Sequence, residues 1–109
     1  MEKNLRIINE LVIFCHMVGA QESDIHFAHT DGSSVIEVTS PVEDLDEHTI
    51  AELWESLNLP RQREIEQDYW ELSGDSETVG ELPLVGMMLD EATVEYRQGV
   101  LLIRALRKD

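Results

Sequence analysis

The spacing of hydrophobic residues predicts a helix at the start of the chain. Over residues 3–18, apolar side chains recur every three to four positions, which is typical of an amphipathic helix. This stripe consists of Leu5, Ile8, Leu11, Val12, Cys15 and Val18. Three further apolar residues widen it: Ile7, Ile13 and Phe14. We therefore expect a helix that is buried on more than one side, ending at Gly19.

Residues 24–40 alternate between apolar and polar side chains, which predicts a β-hairpin. Asp31-Gly32 is a two-residue turn signal, and such a turn requires positive φ at both positions. The turn fixes the register and places the larger apolar side chains on the face toward the helices. The predicted pairs are Thr30 with Ser33, Ala28 with Val35, Phe27 with Ile36 and Ile25 with Val38.

Three more helices are predicted in the middle of the chain. Asp44 or Asp46 can cap the first of them, because a carboxylate accepts hydrogen bonds from the first helical N–H groups. The apolar residues of this helix are Ile50, Leu53, Trp54 and Leu57. Those of the second are Ile65, Tyr69 and Leu72, and a polar loop follows at residues 73–76. The third begins near Pro83 and carries Leu84, Val85, Met88, Leu89 and Ala92.

The period changes to two at Thr93, which predicts a second hairpin with its turn at Gln98-Gly99. Residues 100–103 are apolar on both faces, as in a strand inside a sheet. The predicted fold is α+β, a two-layer sandwich in which about four strands, from two hairpins, carry helices on one face. The core is expected to contain Leu11, Val12, Val38, Leu53, Leu89 and Ile103.

Composition narrows the possible partners. The chain has 23 acidic and 8 basic residues and a net charge of −15, which disfavours binding to nucleic acid or an anionic membrane. No stretch approaches the roughly 20 apolar residues of a membrane span. The single cysteine, Cys15, lies on the apolar side of the first helix, so we expect a buried, inert thiol and a reducing, cytoplasmic environment.

Candidate chemistry in the sequence is sparse. The four histidines have no zinc-ligand spacing, and the acidic cluster at residues 43–47 lacks the glycine of a calcium loop. Helix capping accounts for that cluster. The aromatic residues Trp54, Tyr69 and Trp70 are expected in the core or at a protein partner. We expect no metal site and no cofactor.

The order of elements, and the residues of the last third, resemble the GHKL ATPases, which include histidine kinases, gyrase-type ATPases and anti-sigma-factor serine kinases. In the last group, a glycine loop leads into a helix that ends in Leu or Met followed by Asp-Glu, and two strands follow. The matching residues here are Gly80, Leu84-Val85, Leu89-Asp90-Glu91, and residues 94–97 and 100–107. The resemblance implies one domain over residues 1–109, a histidine-kinase-like ATPase fold without the family's first strand and helix.

The resemblance also implies where a nucleotide site would lie. Glu10, which follows Asn9, would be the general-base-like glutamate. The metal-binding asparagine of the family falls on Phe14, which offers no oxygen to a hard cation. The adenine-binding Asp-x-Gly-x-Gly motif falls on residues 40–44, Ser-Pro-Val-Glu-Asp, which keep neither its aspartate nor its glycines. Glu10 and Gly80 are therefore vestigial candidates for catalysis and cofactor binding.

The glycine loop itself is reduced to Gly80 and Gly86 with Pro83 between them, too few backbone N–H groups in a row for a phosphate. The expected function is a regulatory or protein-interaction module on an inactive GHKL-like scaffold, with an unidentified protein partner. Two alternatives stay open at this point. One is an active ATP-binding serine kinase of the anti-sigma-factor type with diverged motifs. The other is an acidic decoy for a nucleic-acid-binding protein.

Overall fold

The computed structural model describes residues 2–62 and 82–108. Two predicted features lie outside the described residues: the helix at Ile65–Leu72 with the polar loop after it, and Gly80. In chain order, the elements are helix α1 (Glu2–Met17), strands β1 (Asp24–Thr30) and β2 (Ser33–Pro41), helix α2 (Glu47–Leu57), short helix α3 (Leu82–Gly86), and strands β3 (Glu91–Arg97) and β4 (Val100–Lys108).

The four strands form one antiparallel sheet in the order β1-β2-β4-β3, with helices packed against one face. This confirms the α+β class, the two hairpins and the interior position of β4. All four turn residues have positive φ: Asp31 (53°), Gly32 (76°), Gln98 (52°) and Gly99 (76°). The predicted register of the first hairpin is also confirmed, with Phe27 opposite Ile36 and Ile25 opposite Val38.

Helix α1 lies on β2, and its buried face matches the predicted stripe only in part. The buried residues are Asn4, Ile7, Glu10, Leu11 and Cys15. Leu5 is 55% exposed, and Val12 is only half-buried, so placing Val12 in the core was wrong. The other predicted core residues are buried: Leu11, Val38, Leu53, Leu89 and Ile103. The helix orients this way partly because the Asn4 side chain donates a hydrogen bond to Ser34 Oγ (3.1 Å) on β2.

Helix α2 is capped by Asp46, whose Oδ1 accepts a hydrogen bond from the Thr49 N–H (2.8 Å). Side-chain and backbone hydrogen bonds from Thr49 lower the pKa of Asp46, because they stabilise the carboxylate form. Asp44 lies two residues earlier in the loop with φ of 54°, so a capping role for Asp44 is wrong. Leu53 and Leu57 are buried, whereas Trp54 is 49% exposed.

The helix predicted to run to Ala92 ends much earlier. Helix α3 stops at Gly86, and single-turn hydrogen bonds close the chain there, from Met88 N–H to Val85 O and from Leu89 N–H to Gly86 O. The Asp90 N–H then donates to Leu106 O on β4 (2.9 Å). The residues predicted as the end of a helix therefore enter the sheet instead, and Ala92 is a buried residue of β3.

A polar junction holds the chain after α2 against the end of β4. The Arg61 guanidinium, 9% exposed, donates to Asp90 Oδ2 (2.7 Å) and to the carbonyl of Lys108. The Lys108 N–H also donates to Asp90 Oδ2 (2.6 Å), and the Gln62 N–H donates to Met87 O (2.8 Å). Asp90, which the resemblance treats as a family feature, therefore has a structural role here. No helix in the described part of the chain is long and apolar enough to cross a membrane.

Candidate functional site

The flank of α1 that faces α3 carries the residues predicted for a nucleotide site. Glu10 is only 2% exposed, and it lines a cavity of about 230 Å³. The rest of the lining is apolar: Ile13, Phe14, Met17 and Leu82. Glu10 and Phe14 thus lie together in the lining of this cavity, one helical turn apart. Gly80 lies outside the described residues.

The chemistry of this cavity is that of a small apolar pocket. Its volume lies below the 300–1,000 Å³ that is usual for small-molecule sites. Phe14 occupies the position where the resemblance implies a metal-binding asparagine. The aromatic ring supplies no oxygen ligand, and Mg²⁺ is normally held by carboxylates, phosphates and water.

Residues 40–44, which form the end of β2 and the start of the loop after it, are tied to the second hairpin by backbone and tyrosine hydrogen bonds. Val42 is 2% exposed, and its N–H donates to Gly99 O (2.8 Å). The Tyr96 hydroxyl donates to Val42 O (2.6 Å) and accepts from the Leu45 N–H (3.3 Å). Tyr96 packs against the core on the helix-covered face of β3, but nothing in the sequence identified the chain around Val42 as its partner.

Ser40, at the position of the adenine-binding aspartate of the family, is fully buried and points toward α1. Its hydroxyl lies 2.7 Å from Ser23 Oγ and also hydrogen-bonds the Cys15 thiol. Burial raises the pKa of Cys15, and the Ser40 hydrogen bond offsets this only in part. Cys15 is therefore a protonated, buried thiol, as the sequence predicted, and Ser40 is engaged in internal packing.

A larger groove of about 600 Å³ lies where β2 ends, beside residues 41–44 and the turn of the second hairpin at Gly99. It is lined by Val18, Gly19, Gln21, Glu22, Pro41, Val42, Glu43, Asp44 and Gly99. Three of these residues are carboxylates and none is basic. Such a lining lowers the local electrostatic potential and disfavours a polyphosphate.

One buried polar residue of α1, Asn4, was missed by the sequence analysis. Asn4 hydrogen-bonds Ser34 Oγ, which also lies 2.7 Å from His29 Nδ1. The sequence did indicate that Asn4 would be buried, because it falls in helical phase with Ile7, Leu11 and Cys15.

Within residues 2–62 and 82–108, no three His, Cys, Asp or Glu side chains cluster as a metal site would require.

Gly86 has a packing role between two helices. It ends α3 against α2, where a Cβ at this position would lie 1.8 Å from the Ser56 carbonyl oxygen. The glycine is therefore required by close packing of two helices. In the sequence, Gly86 had only a place in the reduced glycine loop that the resemblance implies, because its contact with α2 joins residues far apart in the chain.

A scan of the sequence against protein-family models gives no match, and a search of curated proteins finds none either.

Proposed function

We propose that the chain is a regulatory protein-interaction module on a scaffold that resembles the GHKL ATPases, and that it does not bind nucleotide. The observation that carries the proposal is the apolar cavity beside Glu10. Phe14, Met17 and Leu82 line this cavity next to the buried glutamate. A magnesium-bound triphosphate requires oxygen ligands and backbone N–H groups at such a place.

Residues 40–44, at the end of β2 and in the loop after it, support the same proposal. An adenine amino group requires a carboxylate acceptor and a backbone free of Cβ atoms at this loop. Here Ser40 is buried against Cys15, and Val42 is held by Gly99 and Tyr96. The neighbouring groove carries Glu22, Glu43 and Asp44, which repel phosphate. At the level of the fold, two hairpins in one sheet beneath helices agree with what the resemblance implies.

The exposed aromatic on α2 supports a role in protein binding. Trp54 is 49% exposed, although tryptophan is usually well buried. Exposed tryptophan is enriched among the residues that contribute most to protein interfaces. Glu47 is exposed two helical turns before Trp54 on the same face, the exposed Glu55 follows Trp54 directly, and α2 contains no lysine or arginine. We propose that this face receives a partner with a basic surface, whose cations can lie over the indole ring.

The absence of nucleotide binding is tested by calorimetric titration with Mg-ATP. The expected result is no binding heat at millimolar nucleotide and no thermal stabilisation. A ligand present at a hundredfold its dissociation constant would add about 2.7 kcal/mol to the free energy of unfolding. Micromolar affinity for Mg-ATP would contradict the proposal.

The rival function, an active kinase with diverged motifs, requires a catalytic role for Glu10. If Glu10 acts as a general base, Glu10→Gln should abolish phosphoryl transfer while nucleotide still binds. Under our proposal, neither the native chain nor the variant transfers phosphate. Kinase activity in the native chain that disappears in Glu10→Gln would establish the rival.

The role of Trp54 is tested by affinity capture from extracts of the source cells with native and Trp54→Ala chains as baits. The expected result is a protein that the native chain retains and the variant releases, with binding weakened by about 2 kcal/mol, as at an interface hot spot. The control is His48→Ala, an exposed position on the same helix, which should keep the partner.

The salt dependence of partner binding distinguishes the acidic decoy, which would bind by charge alone, from an interface that also uses the contacts of Trp54. Retention of the partner at about 1 M salt, where the Debye length is about 3 Å, indicates contacts beyond long-range charge attraction. Complete release by salt, with no effect of Trp54→Ala, would favour the acidic decoy. Equal retention by the native chain and both variants would remove Trp54 from the interface.

A further inference from the structure

The two edges of the sheet differ in how they are protected. On β3, the side chains of Glu91, Glu95 and Arg97 are exposed, and the outward Ala92 N–H donates to Asn58 Oδ1 (3.2 Å). Charged side chains and covered backbone groups are ways in which proteins block pairing at an edge. The other edge, β1, carries no Asp, Glu, Lys or Arg between Asp24 and the turn, and within the described chain no strand lies on its outer side.

The hydrogen-bond pattern of the hairpin shows which backbone groups of β1 point outward. Thr30 pairs with Ser33 across a two-residue turn, so these two residues exchange hydrogen bonds. Along an antiparallel strand, the backbone N–H and C=O groups of successive residues point alternately to one side and the other. His26 and Ala28 therefore also direct their backbone groups toward β2. Ile25, Phe27 and His29 direct theirs away from β2, toward the open edge.

Apolar side chains lie next to this edge on the helix-covered face of the sheet. Ile25 is 48% exposed and Phe27 half-buried. The α1 flank with Phe14 and Met17 faces α3 through Leu82, so the opposite flank faces β1. Helical spacing places Leu5, Ile8 and Val12 on that opposite flank. The open edge thus continues into an apolar surface that we call the β1 flank, made of Leu5, Ile8, Val12, Ile25 and Phe27.

We propose that two copies of the chain associate through this surface, with their β1 strands paired antiparallel about Phe27 into one continuous sheet. A twofold axis at Phe27 places Phe27 opposite its own copy and Ile25 opposite His29 of the second copy. All of these residues direct backbone groups outward, so the strand is complementary to itself in this register. Both helix layers then lie on the same side of the joined sheet.

At the β1 edge, charge is compatible with a second copy and offers a basic partner little to bind. The chain carries a net charge of −15, so most of its surface repels a copy of itself. In the proposed register, Asp24 lies opposite Thr30 and His26 opposite Ala28, and no two carboxylates face each other across the strands. A basic partner would gain little at an edge whose interior carries no carboxylate.

The distance between the two α1 helices also fits the proposed dimer. Strands lie about 4.8 Å apart, so the two β2 strands, and the α1 helices on them, would be separated by about 14 Å. Helices in direct contact lie about 8–10 Å apart. The remaining gap of several ångströms is what the large side chains of two β1 flanks would fill.

The test is sedimentation equilibrium of the native chain, Ile25→Lys and Val100→Lys. Both variants replace an exposed apolar residue by lysine and change the net charge equally. Val100, however, is on β4, which β2 separates from β1, and it lies on the open face of the sheet. At about 100 μM, the native chain and Val100→Lys should have twice the chain mass, since a dissociation constant of about 10 μM already gives mostly dimer. Ile25→Lys should sediment as a monomer.

Hydrogen exchange provides a second measurement that does not depend on a variant. On going from dilute to concentrated protein, the amides of Ile25 and Phe27 should become protected. The amides of His26 and Ala28, bonded within the hairpin, should be protected at both concentrations. A native chain that stays monomeric, a dimer that Ile25→Lys leaves intact, or equal dissociation by both lysine variants would overturn the proposal. None of these outcomes depends on whether the chain binds nucleotide or another protein.

Discussion

An Ile103→Ala variant is expected to lose about 2–5 kcal/mol of its free energy of unfolding. Ile103 is fully buried in the middle of β4, where it pairs with Val38 on one side and Val94 on the other. Truncation would remove three methyl or methylene groups from the helix-covered face and leave a cavity that strands on both sides prevent from closing. Urea unfolding at equilibrium measures the loss directly.

The control is Val100→Ala at the start of the same strand. Val100 is 38% exposed on the open face of the sheet, so its truncation should change stability by no more than about 0.5 kcal/mol. If Ile103→Ala costs less than about 1 kcal/mol, the helices do not pack on this face as described.

The strands were predictable because local chemistry determines them. Asp31-Gly32 and Gln98-Gly99 adopt positive φ, which few residue pairs tolerate, so each pair defines both the turn and the register of its hairpin. Alternation then assigns the faces. The exposure of Ile25 was not predictable, because it depends on β1 being an edge strand, and strand order is a property of the whole sheet.

The orientation of α1 was predicted only approximately. Apolar residues surround most of this helix, so their spacing does not single out one buried face. The structure buries Asn4 and Glu10 and leaves Leu5 exposed, because the Asn4 side chain finds a partner in Ser34 on β2. Long-range polar contacts of this kind have no signature in a helical repeat.

The end of α3 was missed for a related reason. The stripe from Leu84 to Ala92 has helical spacing, yet the chain leaves the helix after Gly86 and joins β4 through the Asp90 N–H. Sheet pairing outweighs intrinsic helix propensity, which contributes only tenths of a kcal/mol per residue.

The candidate site was predicted in part. Spacing along α1 placed Glu10 and Phe14 on adjacent turns, and the structure shows both lining one cavity. The closing of that cavity by Leu82 depends on how α3 packs against α1, which the sequence does not specify. The hydrogen bond from Tyr96 to the carbonyl of Val42 likewise joins residues far apart in the chain.

A Gly86→Ala variant is expected to be destabilised by about 3 kcal/mol or more, at the upper end of the usual range for overpacking. The added Cβ would lie 1.8 Å from the Ser56 carbonyl oxygen and 2.9 Å from its carbon. Both atoms belong to the backbone of α2, so no side-chain rotation can relieve the overlap. Helix α3 would have to separate from α2, exposing apolar residues such as Val85 and Leu57.

Gly32 supplies the matched comparison, because its requirement for glycine is conformational. A Cβ at Gly32 meets no atom within 4 Å, but φ is +76°, so Gly32→Ala should cost only about 1–2 kcal/mol. Replacement by asparagine distinguishes the conformational requirement at Gly32 from the packing requirement at Gly86. Because it tolerates positive φ, Gly32→Asn should be milder than Gly32→Ala, whereas the larger side chain should make Gly86→Asn at least as harmful as Gly86→Ala. Urea unfolding of the four variants tests this, and a Gly86→Ala chain as stable as the native one would show that α2 and α3 do not approach this closely.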